Sequence, residues 1–275
     1  MKKWYSVIGD PIAQSMSPSM HGTWFQENEV DATYIPLHIP ADQLEKAVEG
    51  LRTLGCSGWN VTVPHKTAIL PYLDNLDESA QLMQAVNTVH VMPDGSLSGS
   101  NTDGPGFVRS LEEAYSDRAK ADPVLVIGAG GAARGIAHAL HSKGYGPITF
   151  TNRTLGKAKD LATGISGASV MSIQGAEKAL ADFGLIVQTT SVGMNFAQEG
   201  MPLDPAGVRE GTVVADIIYN PLETEFLKQA KQRGALTMNG VGMFVHQGAL
   251  AFETWTGIQP DTEKTIMKIT ATLGG

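Results

Sequence analysis

The sequence predicts an α/β protein of two domains, one a mainly parallel sheet domain and the other a Rossmann-type dinucleotide-binding domain. Short apolar runs alternate with helical patterns along nearly the whole chain, which indicates parallel sheets with helical crossovers. One of these runs, Val124–Ile127, leads through the glycine turn GAGGAAR of residues 128–134 into an alanine-rich helical segment. A glycine motif between a strand and a helix is a much stronger indication of a dinucleotide-binding turn than the same motif elsewhere.

Apolar runs and turn residues place the elements of the first domain. Strands are predicted at 4–8, 33–39 and 59–63, followed by a hairpin of 86–91 and 96–100 around the turn Pro93-Asp94-Gly95. Helices are predicted at 17–27, with Ser17 as N-cap, and at about 42–54. Helices between strands predict a parallel sheet, and the hairpin adds at least one antiparallel strand.

The pattern of apolar runs in the second half of the chain predicts a complete dinucleotide-binding fold. Strands are expected at 124–127, 148–151, near Val170, and at 185–189, 213–218 and 236–238. Two further helices, 241–255 and 262–273, are not needed for that fold and are expected to pack back on the first domain. The predicted domains are therefore 1–103, completed by 241–275, and 104–240.

Composition and charge narrow the possible partners. Hydrophobic content of 42% and charged content of 17% are those of an ordinary globular protein, and the net charge of −8 provides no basic surface for nucleic acid. Cys56 is the only cysteine, which excludes an intrachain disulfide and a cysteine-rich zinc site, and no metal is expected. No signal peptide or membrane-spanning stretch is recognised, so a cytoplasmic protein without a membrane partner is predicted.

The glycine turn has the spacing of a dinucleotide-binding motif. Gly128 permits a tight turn, Gly130 lets the backbone approach a pyrophosphate, and the N–H groups of the helix start face the anion. The candidate contacts are the turn residues Gly128, Ala129, Gly130, Gly131 and Ala132. A glycine-rich loop without a ligand is the alternative, which the motif alone leaves open.

The end of the next strand favours NADP as the cofactor. NAD-binding domains usually place a carboxylate there to bond the ribose 2′-hydroxyl. In this chain the strand is followed by Asn152, Arg153 and Thr154, and an arginine with neutral hydrogen-bonding neighbours suits a 2′-phosphate. A solvated loop arginine is the alternative.

The motif NVTVPHK, residues 60–66, carries the candidate acid/base. Asn60 and Thr62 alternate on one face of a strand whose carboxyl end is the ligand side of an open α/β sheet. Lys66 follows at a helix start, where the helix dipole and desolvation both disfavour the ammonium charge. Such a group can exchange the proton that hydride transfer at an alcohol carbon requires. His65 is the rival candidate for the acid/base. The alternative for Lys66 is an ordinary surface lysine without a catalytic role.

Asp103 is the candidate partner of Lys66. It lies in SNTDG, residues 100–104, two positions after the polar Asn101, and leads into a helix. A helix N-cap is the strong alternative for this aspartate.

Two further regions offer polar groups to a ligand. Ser15 and Ser17 precede a predicted helix, where hydroxyls and N–H groups form a carboxylate site, although capping alone explains Ser17. In NGVGMFVHQ, Gly240 is expected to admit a nicotinamide ring, and Met243 and Gln247 share a helix face. Core packing is an equal alternative for Met243.

With these features placed, the chain resembles the shikimate dehydrogenase family along nearly its whole length. The matching stretches, in order, are GDPIAQSMSPSMH, NVTVPHK, AVNT, NTDGPGF, GAGGAAR, NRT, TSVGM, DIIYNPLET and NGVGMFVHQGALAFE. The chain departs from the common family pattern at Gly22, Ser100 and Phe244, none of which is a candidate catalytic residue.

The resemblance implies reversible reduction of 3-dehydroshikimate to shikimate with NADPH. It implies Lys66 as acid/base with Asp103 as its partner, and Ser15 and Ser17 as carboxylate ligands. Other implied substrate contacts are Asn60, Thr62, Asn87, Asn101 and Gln247. The implied NADP contacts are residues 128–132 and 152–154. Residues implied near the nicotinamide or the substrate ring are Ile217, Tyr219, Gly240 and Met243.

Three alternatives remain beside this interpretation. A quinate/shikimate dehydrogenase has the same architecture, but serines at both 15 and 17 favour shikimate. A non-catalytic ligand sensor would not need both Lys66 and Asp103. Glutamyl-transfer-RNA reductase shares a similar glycine turn but needs a nucleophilic cysteine, which the surroundings of Cys56 do not suggest. A monomer or a homodimer is expected.

Overall fold

The computed structural model describes residues 2–116, 120, 122–194 and 200–274, and the chain forms two compact units. The first unit comprises Met1–Asp103 and Gln247–Thr265, and the second comprises Gly104–His246 and Ile266–Gly275. In this division the first unit takes only 247–265 of the C-terminal residues 241–275.

The first unit contains a mixed sheet of six strands in the order β2-β1-β3-β5-β6-β4. The strands are β1 (Lys3–Gly9), β2 (Ala32–His38), β3 (Gly58–Val61), β4 (Asn75–Leu76), β5 (Thr88–Val91) and β6 (Leu97–Ser100). β1 pairs in parallel with β2 and β3, β4 pairs in parallel with β6, and β5 runs antiparallel to both of its neighbours. The predicted mainly parallel sheet with an antiparallel hairpin strand is confirmed.

Four short helices belong to the same part of the chain: α1 (Ser17–Glu27), α2 (Leu44–Thr53), α3 (His65–Ala68) and α4 (Glu78–Met83). The predicted N-cap role of Ser17 is wrong, because Ser17 is already helical and the capping position is Met16, which has no side-chain cap bond. Ser15 accepts a hydrogen bond from the Ser17 N–H at 3.3 Å instead. β4 and α4 were not predicted from the sequence.

The second unit contains a fully parallel sheet of six strands in the order β12-β11-β10-β7-β8-β9. The strands are β7 (Val124–Ile127), β8 (Ile148–Thr151), β9 (Ser169–Met171), β10 (Leu185–Gln188), β11 (Val213–Asp216) and β12 (Leu236–Met238). The chain order reverses between β7 and β10, which creates the switch point where dinucleotides bind in this fold. The predicted Rossmann-type domain is confirmed.

Helices cover both faces of this second sheet: α5 (Asp103–Tyr115), α6 (Gly131–Ser142), α7 (Leu155–Ala162), α8 (Ile173–Lys178) and α9 (Glu225–Gln232). Val124 and Val126 point into one apolar core and Leu125 and Ile127 into another. A strand buried on both faces reads as a continuous apolar run, which explains the pattern VLVI.

Two long helices, α10 (Val241–Thr256) and α11 (Thr262–Gly274), end the chain. Within the first unit, the Trp255 indole donates to the Val89 carbonyl at 3.0 Å, and the Trp24 indole donates to the Thr265 hydroxyl at 2.8 Å. The segment 247–265 therefore packs on the first unit, whereas 266–275, which the sequence also assigned to the first domain, belongs to the second unit. None of the helices in the described ranges combines the length and apolar character that crossing a membrane requires.

Candidate active site

Lys66 and Asp103 lie side by side in the first unit. Lys66 is the second residue of α3 and Asp103 is the first residue of α5, and the lysine Nζ is 2.5 Å from the aspartate Oδ2. The Asp103 side chain is only 10% exposed and that of Lys66 is 28% exposed. The structure thus brings together the two groups that the sequence singled out, and gives the pair limited access to solvent.

The second carboxylate oxygen of Asp103 is held by Asn87. The Asn87 Nδ2 donates to Asp103 Oδ1 at 2.9 Å and also to the Thr102 hydroxyl at 2.9 Å. Its Oδ1 in turn accepts from the Thr102 N–H at 2.9 Å. Because Asn87 is 2% exposed, these bonds replace water contacts and fix the direction in which the carboxylate faces Lys66.

Thr102 joins this group to the C-terminal helix. Its hydroxyl donates to the main-chain carbonyl of Gln247 at 2.9 Å, and Gln247 Oε1 lies 3.4 Å from Asn87 Nδ2. Sequence reasoning missed Thr102. Its hydroxyl between two named candidates in NTDG was the available signal.

Asn60 is part of the same polar cluster, on β3. Its Nδ2 donates to the Asn87 carbonyl at 3.1 Å and to the Thr88 hydroxyl at 3.2 Å. Thr62 follows the end of β3 and is half-buried, and its Cγ2 occupies the space that a Cβ at Gly9 would need. Gly9 therefore allows Thr62 to lie close to the end of β1.

His65, the rival of Lys66 as acid/base, has its ring inside the protein. The side chain is buried, and its Nε2 lies 2.7 Å from the Ile39 carbonyl oxygen. This bond ties α3 to the residue that follows β2. It leaves Lys66, not His65, as the group beside the carboxylate.

Ser15, Ser17 and Asn101 also lie in the first unit. Ser17 is buried at the start of α1, and Ser15 is half-buried one residue before the cap. The Asn101 amide bonds the backbone at both ends, donating to the Ala85 carbonyl at 3.0 Å and accepting from the Asp103 N–H at 3.0 Å. Asn101 therefore shapes the loop in front of Asp103.

The glycine turn of the second unit has the geometry that its motif predicts. Gly128 has a φ of +121°, and a Cβ there would collide with the Thr189 hydroxyl. Gly130 and Gly131 lie at the start of α6, and a Cβ at either position would meet no described atom within 4 Å. Gly128 is thus required by the fold, whereas the open space beside Gly130 and Gly131 fits a pyrophosphate.

Two cavities share lining residues after β8, and one of them is also lined by Gly128 of this turn. One, of about 440 Å³, is lined by Asn152, Arg153, Leu155, Ser172, Ile173, Gln174 and Glu177. The other, of about 270 Å³, is lined by Ile127, Gly128, Asn152, Arg153, Ile173, Thr190, Ser191, Val192, Met201 and Pro202. Asn152 and Arg153 line both cavities, and the Asn152 Nδ2 donates to the Thr154 carbonyl at 2.9 Å. A shaped cavity with an exposed arginine beside a glycine turn fits a dinucleotide that carries a 2′-phosphate.

Three hydroxyl residues that line these cavities were not predicted from the sequence: Ser172, Thr190 and Ser191. Each lies just after the carboxyl end of a parallel strand, which is where ligands bind in this fold. That position was the signal that could have identified them.

Gly240 and Met243 have packing roles within the second unit. A Cβ at Gly240 would collide with the Ile217 carbonyl, so the glycine is needed by the fold whether or not a ring lies nearby. Met243 is 8% exposed and belongs to the apolar core, which agrees with core packing as the alternative for this residue. Tyr219 is half-buried, with its ring centroid 5.0 Å from that of Phe244.

Asp216 is a buried carboxyl at the end of β11 that sequence reasoning did not single out. Its oxygens accept from the Ile218 N–H at 3.0 Å and the Thr224 hydroxyl at 2.8 Å. Burial raises the pKa of this carboxyl to about 6, although both hydrogen bonds lower it. These bonds hold both ends of the loop that presents Ile217 and Tyr219.

The strand order and the glycine turn at the switch point place this chain among the dinucleotide-binding oxidoreductases. Three family models match it in succession: "Shikimate dehydrogenase substrate binding domain" at residues 7–89, "Shikimate / quinate 5-dehydrogenase" at 110–218, and "Shikimate 5'-dehydrogenase C-terminal domain" at 240–269. The chain belongs to the shikimate dehydrogenase family.

Curated and solved relatives agree over the whole chain. A shikimate dehydrogenase (NADP(+)) of Lysinibacillus sphaericus is 55% identical over 275 residues, which cover 100% of both chains. A crystal structure of a shikimate dehydrogenase in complex with NADP+ has a TM-score of 0.92 at 36% identity, covering 99% of this chain and 96% of the other. The Thermus thermophilus shikimate 5-dehydrogenase, solved with NADP(H) and shikimate, has a TM-score of 0.89 at 33% identity, covering 98% and 99%.

Proposed function

We propose that this protein catalyses the reversible, NADPH-dependent reduction of 3-dehydroshikimate to shikimate. The observation that carries the proposal is the Lys66–Asp103 pair, held by Asn87 in a unit separate from the one that carries the glycine turn. The L. sphaericus relative, whose name gives this activity and this cofactor, supports the assignment.

Lys66 is the acid/base of the proposed reaction. When bound, NADPH supplies the hydride that reduces the ketone carbon. The Lys66 ammonium donates a proton to the ketone oxygen, which becomes the new hydroxyl, and the reverse reaction returns that proton to the lysine amine. Asp103 orients the ammonium through Oδ2 and is itself oriented by Asn87 through Oδ1.

The proposed substrate contacts are hydroxyl, amide and backbone N–H groups. Hydroxyls and N–H groups suit a carboxylate at Ser15 and Ser17. The remaining proposed substrate contacts are Asn60, Thr62, Asn87, Asn101, Tyr219 and Gln247. Since both Nδ2 hydrogens of Asn60 are used inside the protein, its contribution is a lone pair of Oδ1 that accepts from a substrate hydroxyl.

NADP is assigned to the second unit. Backbone N–H groups at 128–132 would hold the pyrophosphate, and Arg153 with Asn152 and Thr154 would hold the 2′-phosphate. Ile217, Gly240 and Met243 are the proposed neighbours of the nicotinamide. We accordingly infer that 1–103 with the C-terminal helices of 241–275 forms the substrate domain and 104–240 the cofactor domain.

A nicotinamide absorbance assay that crosses shikimate and quinate with NADP and NAD tests the function. We expect the highest kcat/KM for shikimate with NADP. A higher value for quinate would reassign the protein to the quinate branch of the family. Shikimate binding by calorimetry without turnover in any combination would favour a ligand sensor.

Cellular setting and assembly belong to the same proposal. We place the protein in the cytoplasm, a placement supported by its single, buried cysteine. We expect it to be a monomer or a homodimer. Fractionation of cells and light scattering of the purified protein test the two statements.

A further inference from the structure

The Tyr34 hydroxyl is bonded to the candidate substrate residue Asn60. It donates to Asn60 Oδ1 at 2.6 Å, and both side chains are at most 7% exposed. Tyr34 pairs with Tyr5 across β1 and β2, and Asn60 pairs with Val7 across β1 and β3, which puts both side chains on one face of the sheet. Sequence reasoning did not single out Tyr34.

The Tyr34 ring is held in place without its hydroxyl. It stacks on the His21 ring with centroids 4.4 Å apart and planes inclined by 2°. His21 is fully buried, and neither ring nitrogen bonds a partner among the described residues. Burial lowers the pKa of His21 to about 3, so the stacked ring is neutral. The aromatic contacts therefore fix where the hydroxyl points.

The hydroxyl is a permanent donor. Burial, followed by the proximity of Cys56, raises the pKa of Tyr34 well above its ordinary value, against a smaller opposing contribution from Ser17. Asn60 meets this donor with its oxygen, because its nitrogen already donates to the Asn87 carbonyl and the Thr88 hydroxyl. The orientation of the Asn60 amide is thus determined from both ends.

The effect of Tyr34 is expected to stop at the two proposed substrate residues that it bonds, Asn60 and Ser17, and not to reach Asp103. Thr88 links Asn60 to Asn87, since its hydroxyl donates to Asn87 Oδ1 at 3.0 Å. Asn87, however, is also held by the N–H and the hydroxyl of Thr102. Loss of the tyrosine hydroxyl would therefore loosen Asn60 without moving the carboxylate of Asp103.

We propose that Tyr34 is a positioning residue that presents the Asn60 oxygen to a substrate hydroxyl. The inference rests on the proposed function, which supplies the polyhydroxylated substrate. Its contribution falls on substrate affinity, because Asn60 has no bond to Lys66 or Asp103, and the cofactor contacts are assigned to the other unit.

Tyr34→Phe tests this role, since phenylalanine preserves the stack on His21. Without its donor, the Asn60 amide can rotate and its oxygen is buried unsatisfied, which is expected to raise the shikimate KM and Kd by about tenfold. The kcat is expected to stay within about twofold, and the NADP KM to stay unchanged. Steady-state kinetics and calorimetry with shikimate measure these values.

Tyr5→Phe is the matched control. Tyr5 stacks on Phe25 and Trp255 in the same aromatic cluster, and within the described ranges its hydroxyl bonds none of Asn60, Thr88 or Asn87. A Tyr34→Phe protein with unchanged KM and a lower melting temperature would assign Tyr34 a purely structural role and overturn the inference. Absence of shikimate turnover and binding in the unmodified protein would instead refute the proposed function.

Discussion

The Asn87 side-chain nitrogen lies 2.9 Å from Asp103 Oδ1, opposite the oxygen that faces Lys66. Each carboxylate oxygen therefore has its own side-chain donor, one neutral and one charged. A carboxylate held at both oxygens cannot rotate, so the direction of the lysine ammonium is set before a substrate arrives. Orientation of the proposed proton donor Lys66 thus depends on two further side chains, Asp103 at the start of α5 and Asn87 in the loop before β5.

Removal of Asn87 is expected to affect both stability and turnover. Asn87→Ala leaves buried groups of Asp103 and Thr102 without partners, which should cost about 1–3 kcal/mol of unfolding free energy. The kcat should also fall, because the carboxylate is free to turn. Urea unfolding and steady-state kinetics measure the two effects. Asn28→Ala is the control, since it removes one bond to the Trp24 carbonyl; an equal loss of kcat there would contradict the orientation argument.

Lys66→Ala tests the acid/base assignment directly. Without the ammonium, the ketone oxygen has no positioned proton donor, and kcat is expected to fall by about 10²–10⁴-fold. Shikimate Kd should change much less, because binding uses other groups. Lys143→Ala removes an exposed lysine of the second unit and should behave as wild type. Near-normal turnover by the Lys66 variant would remove it from this role.

Arg153→Ala tests the choice of cofactor. The substitution removes the cation assigned to the 2′-phosphate, so the KM for NADP should rise by about tenfold or more while the KM for NAD changes little. Initial rates with each cofactor provide the comparison. Arg233→Ala, an exposed arginine after α9, controls for a general loss of positive charge. An equal rise in the KM values for NADP and NAD would contradict the assignment of Arg153 to the 2′-phosphate.

Asp216 predicts a pH dependence of stability with a defined sign. Burial raises its pKa from 3.8 to about 6, so the folded protein keeps the proton while the unfolded chain loses it. The contribution of this carboxyl is fully present below about pH 4 and is lost as pH rises through about 6. The slope is at most about 1.4 kcal/mol per pH unit.

Asp216→Asn isolates this contribution, because the amide stays neutral and can still bond Ile218 and Thr224. The stability of wild type relative to the variant is expected to decrease between about pH 4 and 6 and then level off. Melting temperatures across this range measure the difference. Parallel profiles for the two proteins would show that the carboxyl does not titrate there.

The sequence predicted best those elements whose two faces are buried. The bounds of β7 and β8, whose residues are all buried, were predicted to the residue, because a strand buried on both faces begins and ends sharply. β4 has two residues and α4 six, too few for a periodic pattern to develop. The N-cap prediction for Ser17 was wrong because the helix already includes Ser17, and Ser15, two residues earlier, accepts from the Ser17 N–H.

The residues of the candidate site were predictable from the sequence, but the hydrogen bonds between them were not. Lys66 and Asp103 stood out by residue type and by position at helix starts. The bonds from Tyr34 to Asn60 and from Thr102 to Gln247 join residues far apart in the chain. Only the pairing of β1 with β2 and β3 and the packing of 247–265 on the first unit bring these groups together.

Alanine substitutions at two glycines of the turn, Gly128 and Gly130, are expected to weaken NADP binding for different reasons. Gly128 has a φ of +121° and would direct a Cβ into Thr189, so Gly128→Ala should lower the melting temperature as well as NADP binding. Gly130 has a φ of −97°, and a Cβ there meets no described atom within 4 Å. The Gly130→Ala protein should therefore have the melting temperature of wild type. It should still bind NADP more weakly, because the methyl group occupies the space assigned to the pyrophosphate.

Calorimetric melting and NADP titration of both variants separate a fold requirement from a ligand requirement. The shikimate Kd of the Gly130→Ala protein is the internal control and should not change, since the substrate groups nearest Lys66 lie in the first unit. Full NADP affinity in that variant would place the pyrophosphate away from Gly130. The open space at Gly130 would then be ordinary loop surface. The dinucleotide would have to be held by the residues that line the cavities around Arg153.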